Sequence, residues 1–394
     1  MKKAEKTIQR HELRQVYPFY ETVDRFLFAR TEATISAPHV RDAINLKRIA
    51  VIVVIALLPV IFMALYNTGL QANLALAELG ISSAAGWRGM VLASFGFATA
   101  DPDSMAGNLL YGALQFLPIF TVNLVVAGFW TILFAVIRKR SIDEMFVITA
   151  LLFSLALPPT IPLWQAALGI SFALVFGKEV FGGLGMNIMN PSLVGLAFLY
   201  FAYPAHVSGE TVWVAVDGIS RATPLTAFTC PNLNISATWT DSFLGLIPGT
   251  MGETSALACL IGAAILIVTG IGSWRIMLSI SGGMVGLSLF FNLIGSQSNQ
   301  MFQVTPMWHL VIGSFAFATV FMATDPVTSA QTLQGQYYYG ILIGVLAVLI
   351  RVINPALTEG MALAILFGNV FAPAIDKAVI NRNIKRRLRR THAG

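Results

Sequence analysis

Apolar residues gather along this chain in ten blocks, at 49–66, 110–137, 145–158, 163–177, 191–203, 254–270, 275–294, 307–323, 337–353 and 360–376. The longest can cross a hydrocarbon core about 30 Å thick, which takes about 20 helical residues. Several are shorter and are interrupted by proline and glycine, as in Leu157-Pro158-Pro159-Thr160-Ile161-Pro162, Gly182-Gly183-Leu184-Gly185, Asn190-Pro191, Asp325-Pro326 and Asn354-Pro355. Broken helices persist in a bilayer only where protein or a polar cavity satisfies the freed backbone groups. The pattern therefore predicts an all-α polytopic membrane protein of about ten transmembrane helices, with binding sites at the breaks.

The breaks repeat. Asn187-Ile188-Met189-Asn190-Pro191-Ser192-Leu193, followed by Phe201-Ala202-Tyr203-Pro204, echoes Arg351-Val352-Ile353-Asn354-Pro355-Ala356-Leu357, followed by Phe371-Ala372-Pro373, and the two Asn-Pro pairs lie 164 residues apart. With five crossings in each half, the copies take opposite orientations, an inverted repeat of the kind that holds ligands near the membrane midplane. The predicted divisions are an N-terminal arm (1–48), a first five-helix repeat (49–204), an outer loop (205–253), a second five-helix repeat (254–376) and a basic tail (377–394).

Composition and charge strengthen the membrane reading. Of the 394 residues, 56% are hydrophobic and 11% charged, against about 25% charged in a soluble domain. Ten of the 25 Lys and Arg residues precede residue 49, seven follow residue 376, and three form Arg138-Lys139-Arg140. Threading the blocks with both termini cytoplasmic leaves only Arg88, Arg221 and Arg351 outside, as the positive-inside rule requires. This placement points the net charge of +6 at membrane lipids, the tail Lys385–Arg390 serving as an anchor at an anionic leaflet, and not at nucleic acid. The first 46 residues are polar and charged, so the first membrane helix directs insertion. Cys230 and Cys259 are too few for an iron–sulfur cluster within this chain alone, and the five histidines show no paired haem-like spacing.

The outer loop carries Asp217-Gly218-Ile219-Ser220-Arg221-Ala222-Thr223-Pro224-Leu225. Read for chemistry alone, this is a hydroxyl-rich turn ahead of a proline, because a threonine needs an activating base before it reacts. The stretch resembles, however, the Asp-Gly-x-Ser-Gly-Ala-Thr flavinylation motif of the NqrB/RnfD family, the flavin-bearing membrane subunits of the sodium-translocating NADH:quinone oxidoreductase and of the RNF complex. The resemblance extends over nearly the whole chain, through His39–Arg48, Ala127-Gly128-Phe129-Trp130, Phe181–Asn187, Ile350–Pro355 and Phe371–Asp376. The polar N-terminal arm favours the NADH:quinone enzyme over its RNF relative.

The resemblance implies a urea-channel-like fold and a place in a bacterial inner membrane. It also implies FMN joined through its phosphate to Thr223 by a flavin transferase, with Asp217, Ser220 and Ala222 completing the motif. Arg221 replaces the usual small residue and is positioned by charge to pair with the flavin phosphate. Asn187 and Asn190 fall where the family holds a non-covalent riboflavin; amides at this spacing can present donors and acceptors to one ring edge, or can simply cap helices. Gly128 falls where the family places ubiquinone, and a mid-helix glycine equally suits helix packing. Thr131 stands where an acidic residue is common. Asp325, Asp376 and Glu179 are ionisable residues at membrane depth and thus candidates for an ion path, since hard oxygens suit sodium; each could instead cap a helix. The implied activity is electron transfer from FMN through riboflavin to ubiquinone, coupled to sodium export. The absence of a nucleotide fingerprint or cysteine cluster assigns NADH, FAD and iron–sulfur chemistry to a partner subunit, alongside a second FMN subunit and two small membrane subunits. A flavin-free solute channel and an RNF subunit are the alternative readings.

Overall fold

The computed structural model describes residues 46–81, 86–97, 101–140, 142–208, 211–216, 219, 221–229, 237–296, 299–354 and 360–392. Every regular element among them is helical. The first half contains α1 (Leu46–Glu78), α2 (Gly86–Ser94), α3 (Met105–Arg138), α4 (Phe146–Leu155), α5 (Leu163–Leu174) and α6 (Pro191–Ala202). Three short helices follow between the halves, α7 (Pro204–Val207), α8 (Pro224–Thr229) and α9 (Trp239–Leu244). The second half contains α10 (Ala256–Val268), α11 (Trp274–Ile294), α12 (Pro306–Val311), α13 (Phe315–Phe317), α14 (Leu333–Ile353) and α15 (Met361–His392).

Each of the ten apolar blocks is helical, but among the described residues only α1, α3, α11, α14 and α15 are long and apolar enough to cross a membrane by themselves. The block at 307–323 is a composite of α12, α13 and a π-helical turn over Ala318–Met322, and α5 likewise runs into a π-helical turn over Val175–Glu179. Helix ends differ from expectation where polar side chains find buried partners. α1 continues past residue 66 because Asn67 Nδ2 donates to the Ile247 carbonyl at 2.8 Å and Asn73 Nδ2 donates to Asn108 Oδ1 of α3 at 2.7 Å. α15 continues past residue 376 because the basic tail is rich in good helix formers, and its Lys and Arg residues from 382 to 390 are exposed.

The main chain freed at the breaks is satisfied within the protein. Beyond α4, the Leu155 and Leu157 carbonyls accept from Gly252 N at 2.7 Å and Met251 N at 3.3 Å, so the segment leading into α10 closes the end of α4. Between α12 and α13, the fully buried Arg351 of α14 donates to the His309 and Ile312 carbonyls, both at 3.2 Å. The turn there runs through Gly313 at φ +62, where a Cβ would lie 2.8 Å from Arg351 Nη2 and 2.9 Å from Leu225 Cδ2. Glycine is thus required twice over, by backbone conformation and by space.

Packing joins the halves around one core. α1 and α10, the opening helices of the two halves, lie on each other; α3 lies on α5 as α11 lies on α14, and α5 on α6 as α14 on α15. Gly112 lets α3 approach α1 closely, since a Cβ there would lie 1.8 Å from the Leu65 carbonyl oxygen. Small residues at such contacts are what membrane helices use in place of a hydrophobic driving force. The outward faces carry Val51, Leu58, Phe62, Val125, Phe129, Phe290 and Leu293, all well exposed and suited to lipid.

The two Asn-Pro pairs play different local parts. Asn190 starts α6, its Oδ1 accepting from Ser192 N at 3.0 Å and Leu193 N at 3.5 Å, with Pro191 in the first turn. Asn354 instead ends α14, and α15 begins at Met361. Pro355 lies outside the described residues.

Candidate functional site

Three regions carry the polar chemistry. In the region between the halves, Thr223 precedes α8 and accepts from Thr226 N at 3.3 Å through its Oγ1, with Pro224 as the first helical residue. Its hydroxyl also shares a hydrogen bond with Thr226 Oγ1 at 3.0 Å, and the residue is 6% exposed. Arg221 reaches the far end of α1, pairing with Glu78 Oε1 at 2.6 Å and donating to Gln71 Oε1 at 3.2 Å. Its guanidinium is therefore already engaged on one side by α1. α8 is clamped onto the second half: Leu225 is fully buried beside Gly313, and the Phe228 ring stands edge-on to Trp308 of α12 at 5.3 Å. Asp217, Gly218 and Ser220 lie outside the described residues. Ala222 is partly buried within the same turn.

A second region is a cavity of about 80 Å³ lined by Ile49 and Val53 of α1, Lys178 of the first π-turn, Asn187, Asn190, Phe321 of the second π-turn, and Asp325. π-turns inside helices often mark functional sites, and here one from each half meets the same space. Asn187 is 7% exposed, its Nδ2 donating to the Met189 carbonyl at 3.3 Å and its Oδ1 accepting no hydrogen bond. Asn190 spends its Oδ1 on capping α6, while its Nδ2 makes only a long contact of 3.4 Å to the Met322 carbonyl. Together they leave one buried acceptor and one weakly engaged donor at the cavity. That complement fits the imide edge of an isoalloxazine ring, which offers an N–H between two carbonyls.

Against this cavity lies a larger one of about 440 Å³, lined by Lys47, Thr131, Arg138, Asp143, Glu144, Glu179 and the Gly182-Gly183-Leu184 bend. Met145 and Leu184 belong to both walls. Thr131 is 4% exposed and its hydroxyl has no hydrogen-bond partner. Gly128 stands one helical turn before it, where a Cβ would make ordinary contact with the Phe146 ring at 3.6 Å. No described residue of this chain crowds Gly128, so the space beside it could take a side chain.

The three carboxylates singled out by depth are each engaged. Asp376 accepts from Gln331 N at 2.8 Å, Thr332 N at 2.9 Å and Thr332 Oγ1 at 2.5 Å, which makes it a cap for the start of α14. Asp325 accepts from Val327 N at 3.2 Å and Thr328 Oγ1 at 3.0 Å, and also lines the smaller cavity. Glu179 pairs with Arg138 Nη1 at 2.9 Å at the edge of the larger one. Thus Asp325 shares a cavity with the two asparagines, Glu179 shares one with Thr131, and Asp376 belongs to neither.

The matching family model covers residues 33–385 and is described as the NQR2, RnfD, RnfE family. The chain is also 51% identical over 380 residues to the B subunit of the Na(+)-translocating NADH-quinone reductase of Ectopseudomonas mendocina, covering 95% of this chain and 94% of that protein. To the protein of the same name from Azotobacter vinelandii it is 53% identical over 381 residues, again 95% and 94%. This chain belongs to the NQR2, RnfD, RnfE family.

For this NQR2, RnfD, RnfE family member, sequence reading missed two features that the fold assembles. The buried Lys178, 2% exposed, forms an ion pair with Asp143. Arg138 and Arg140 grip the chain after the first π-turn, Arg138 through the Glu179 carbonyl as well as its carboxylate, and Arg140 through the Gly182 carbonyl at 2.8 Å. The signal for both was Lys178-Glu179 breaking an apolar run just ahead of the glycine bend, with Asp143-Glu144 following the Arg138–Arg140 cluster at the turn between α3 and α4. Arg351 was visible only as a stray basic residue on the outer side; its burial against a helix break is a tertiary fact.

Proposed function

We propose that this chain is the membrane subunit of a redox-driven sodium pump, passing electrons from covalent FMN on Thr223 through riboflavin at Asn187 and Asn190 to ubiquinone near Gly128. The observation that carries this reading is the pair of adjoining cavities at the inner side. One has the unpartnered amide oxygen of Asn187, the other the unpartnered hydroxyl of Thr131 one turn from Gly128. The names of the relatives, with their sodium, NADH and quinone, support the same assignment.

When bound, a flavin ring supplies one-electron transfer, and the protein sets its position and potential. Asn187 offers an acceptor and Asn190 a donor to the ring, while Ile49, Val53 and Phe321 supply the apolar faces. Thr223 supplies the hydroxyl for the phosphate ester, with Asp217, Ser220 and Ala222 as the recognition motif and Arg221 tied to α1. Because Thr223 is buried and caps α8, attachment by the flavin transferase precedes or displaces the docking of α8 on α12. Asp325, beside the asparagines, is the carboxylate we assign to the sodium path. Asp376 and Glu179 have structural partners that account for them.

The likeness of helix pairings in the two halves supports a ten-helix inverted repeat, 49–204 and 254–376, with arm 1–48 and tail 377–394 on the cytoplasmic side of a bacterial inner membrane and loop 205–253 outside. Partner subunits supply NADH oxidation, FAD and iron–sulfur chemistry, a second FMN subunit and two small membrane subunits complete the complex, and the subunit is inactive alone.

The direct test is in-gel fluorescence of the denatured protein after expression with the flavin transferase. Wild type is bright and Thr223→Ala is dark; a bright Thr223→Ala band refutes the site. In the assembled complex, quinone reduction rises with added sodium at constant ionic strength. Insensitivity to sodium would remove the ion from the proposal.

A further inference from the structure

The two inner cavities are separated by an ion pair whose members face opposite ways. Lys178 lines the smaller cavity with Asn187 and Asn190, and Asp143 lines the larger one with Thr131. The pair is set firmly. Lys178 is 2% exposed on a π-helical turn, while Asp143 has one carboxylate oxygen on the ammonium and the other accepting from Met145 N at 2.8 Å. A buried charge pair of this sort is seldom kept for stability, since an apolar pair of like volume serves as well or better. Its position between the two spaces gives it another use.

We propose that Asp143 is the proton donor to the quinone in the larger cavity, and that Lys178 is the positioning residue that ties its protonation to negative charge in the smaller one. The inference rests on the flavin and quinone assignments above and extends them. Lys178 has one ammonium and two places for it to act. Negative charge arriving in the smaller cavity draws the ammonium away from Asp143, and the relieved carboxylate takes a proton from the inner aqueous side. As an electron passes to the quinone, Asp143 releases that proton to a quinone oxygen, and Lys178 pairs with the carboxylate again. Two such cycles balance the reaction: one quinone, two electrons from the reduced flavin and two protons from the inner water give one quinol.

The charged groups facing Asp143 favour this cycle. Arg138 and Arg140 at the end of α3 are held by Glu179 and the Gly182 carbonyl. Glu144, next in the chain, is held by Lys47 of α1 at 3.1 Å. Among the described residues, Lys178 is therefore the charged neighbour that also lines the smaller cavity, and Lys47 and Glu144 stand at the larger cavity as the entry for protons. The unpartnered Thr131 hydroxyl adds a donor or acceptor for the quinone head group.

The test uses the complete complex in three forms: wild type, Asp143→Asn, and the neutral double variant Asp143→Asn with Lys178→Met, which removes the risk that a lone buried charge unfolds the site. Reduced-minus-oxidised infrared difference spectra of wild type should show a carboxylic C=O band that shifts in deuterium oxide and is absent in both variants. Both variants should lose about 100-fold in quinone reduction, the scale of a general acid, while Asp143→Asn keeps its riboflavin and reduces it at the wild-type rate. Quinone reduction by the double variant at the wild-type rate, or a redox-linked carboxyl band that survives Asp143→Asn, overturns the proposal. Wild-type complex that releases no riboflavin on acid extraction overturns the underlying flavin assignment instead, so the two failures are told apart.

Discussion

At the scale of single residues, the two asparagines that look equivalent in sequence do unequal work. Asn190 spends its oxygen on the start of α6 and has only its Nδ2 to offer a ligand, whereas Asn187 keeps its oxygen uncommitted at the cavity wall. Replacing Asn190 by alanine should therefore cost both riboflavin and about 1 kcal/mol of stability, the usual value of a lost helix cap. Asn187→Ala should cost riboflavin alone. Thermal unfolding of the purified complex, combined with flavin extraction, separates the two; equal destabilisation would mean that Asn187 is structural. Arg221 shows a similar division. The sequence marks it as a departure from the flavinylation motif and suggests a phosphate partner, but in the fold it pairs with Glu78 and Gln71 of α1. A motif records which residues are adjacent in the chain, and the contact with Gln71 spans 150 residues.

Among elements, the broken helices are where prediction and structure agree in kind and differ in detail. Proline and glycine reveal that a helix must break, because they remove a donor or require φ values other residues avoid. They do not reveal what satisfies the freed carbonyls. Beyond α4 it is backbone from the approach to α10; between α12 and α13 it is the guanidinium of Arg351. Arg351→Leu should thus leave the His309 and Ile312 carbonyls short of donors at a cost of roughly 1–3 kcal/mol for each. The expected result is a lowered midpoint of thermal unfolding. Because Leu225 of α8 packs at Gly313 over the same break, the variant should also loosen the Thr223 segment and make it more sensitive to added protease. An unchanged midpoint would show that other groups meet those carbonyls.

For the whole molecule, the arrangement of basic residues makes a prediction about sidedness. In a background with Cys230 and Cys259 replaced by serine, a cysteine at the exposed Thr240 in α9 should react with an impermeant maleimide added outside intact cells. A cysteine at the exposed Arg386 near the end of α15 should react only after the inner side is opened. The opposite pattern would invert the threading and place Thr223 on the wrong face for the proposed electron route. One core spanning both halves, with α1 packed on α10, also implies that neither half is complete when expressed alone.

The sequence by itself determined that this is a helical membrane protein, where its chain breaks, and which family it resembles. Those properties are written in local runs of apolar residues, in proline and glycine, in charge placement and in contiguous motifs. Only the tertiary structure decided that Asn187, Asn190 and Asp325 share one cavity, that Thr131 and Asp143 share the next, and that Lys178 stands in the wall between them. It also decided that Asp376 is a cap and that Arg351 is buried at a helix break. Each of these depends on which distant segments meet, and that is settled by packing shape and by the need of every buried polar group for a partner. Local pattern carries the demand for such partners, while the choice among distant candidates arises only when the helices pack.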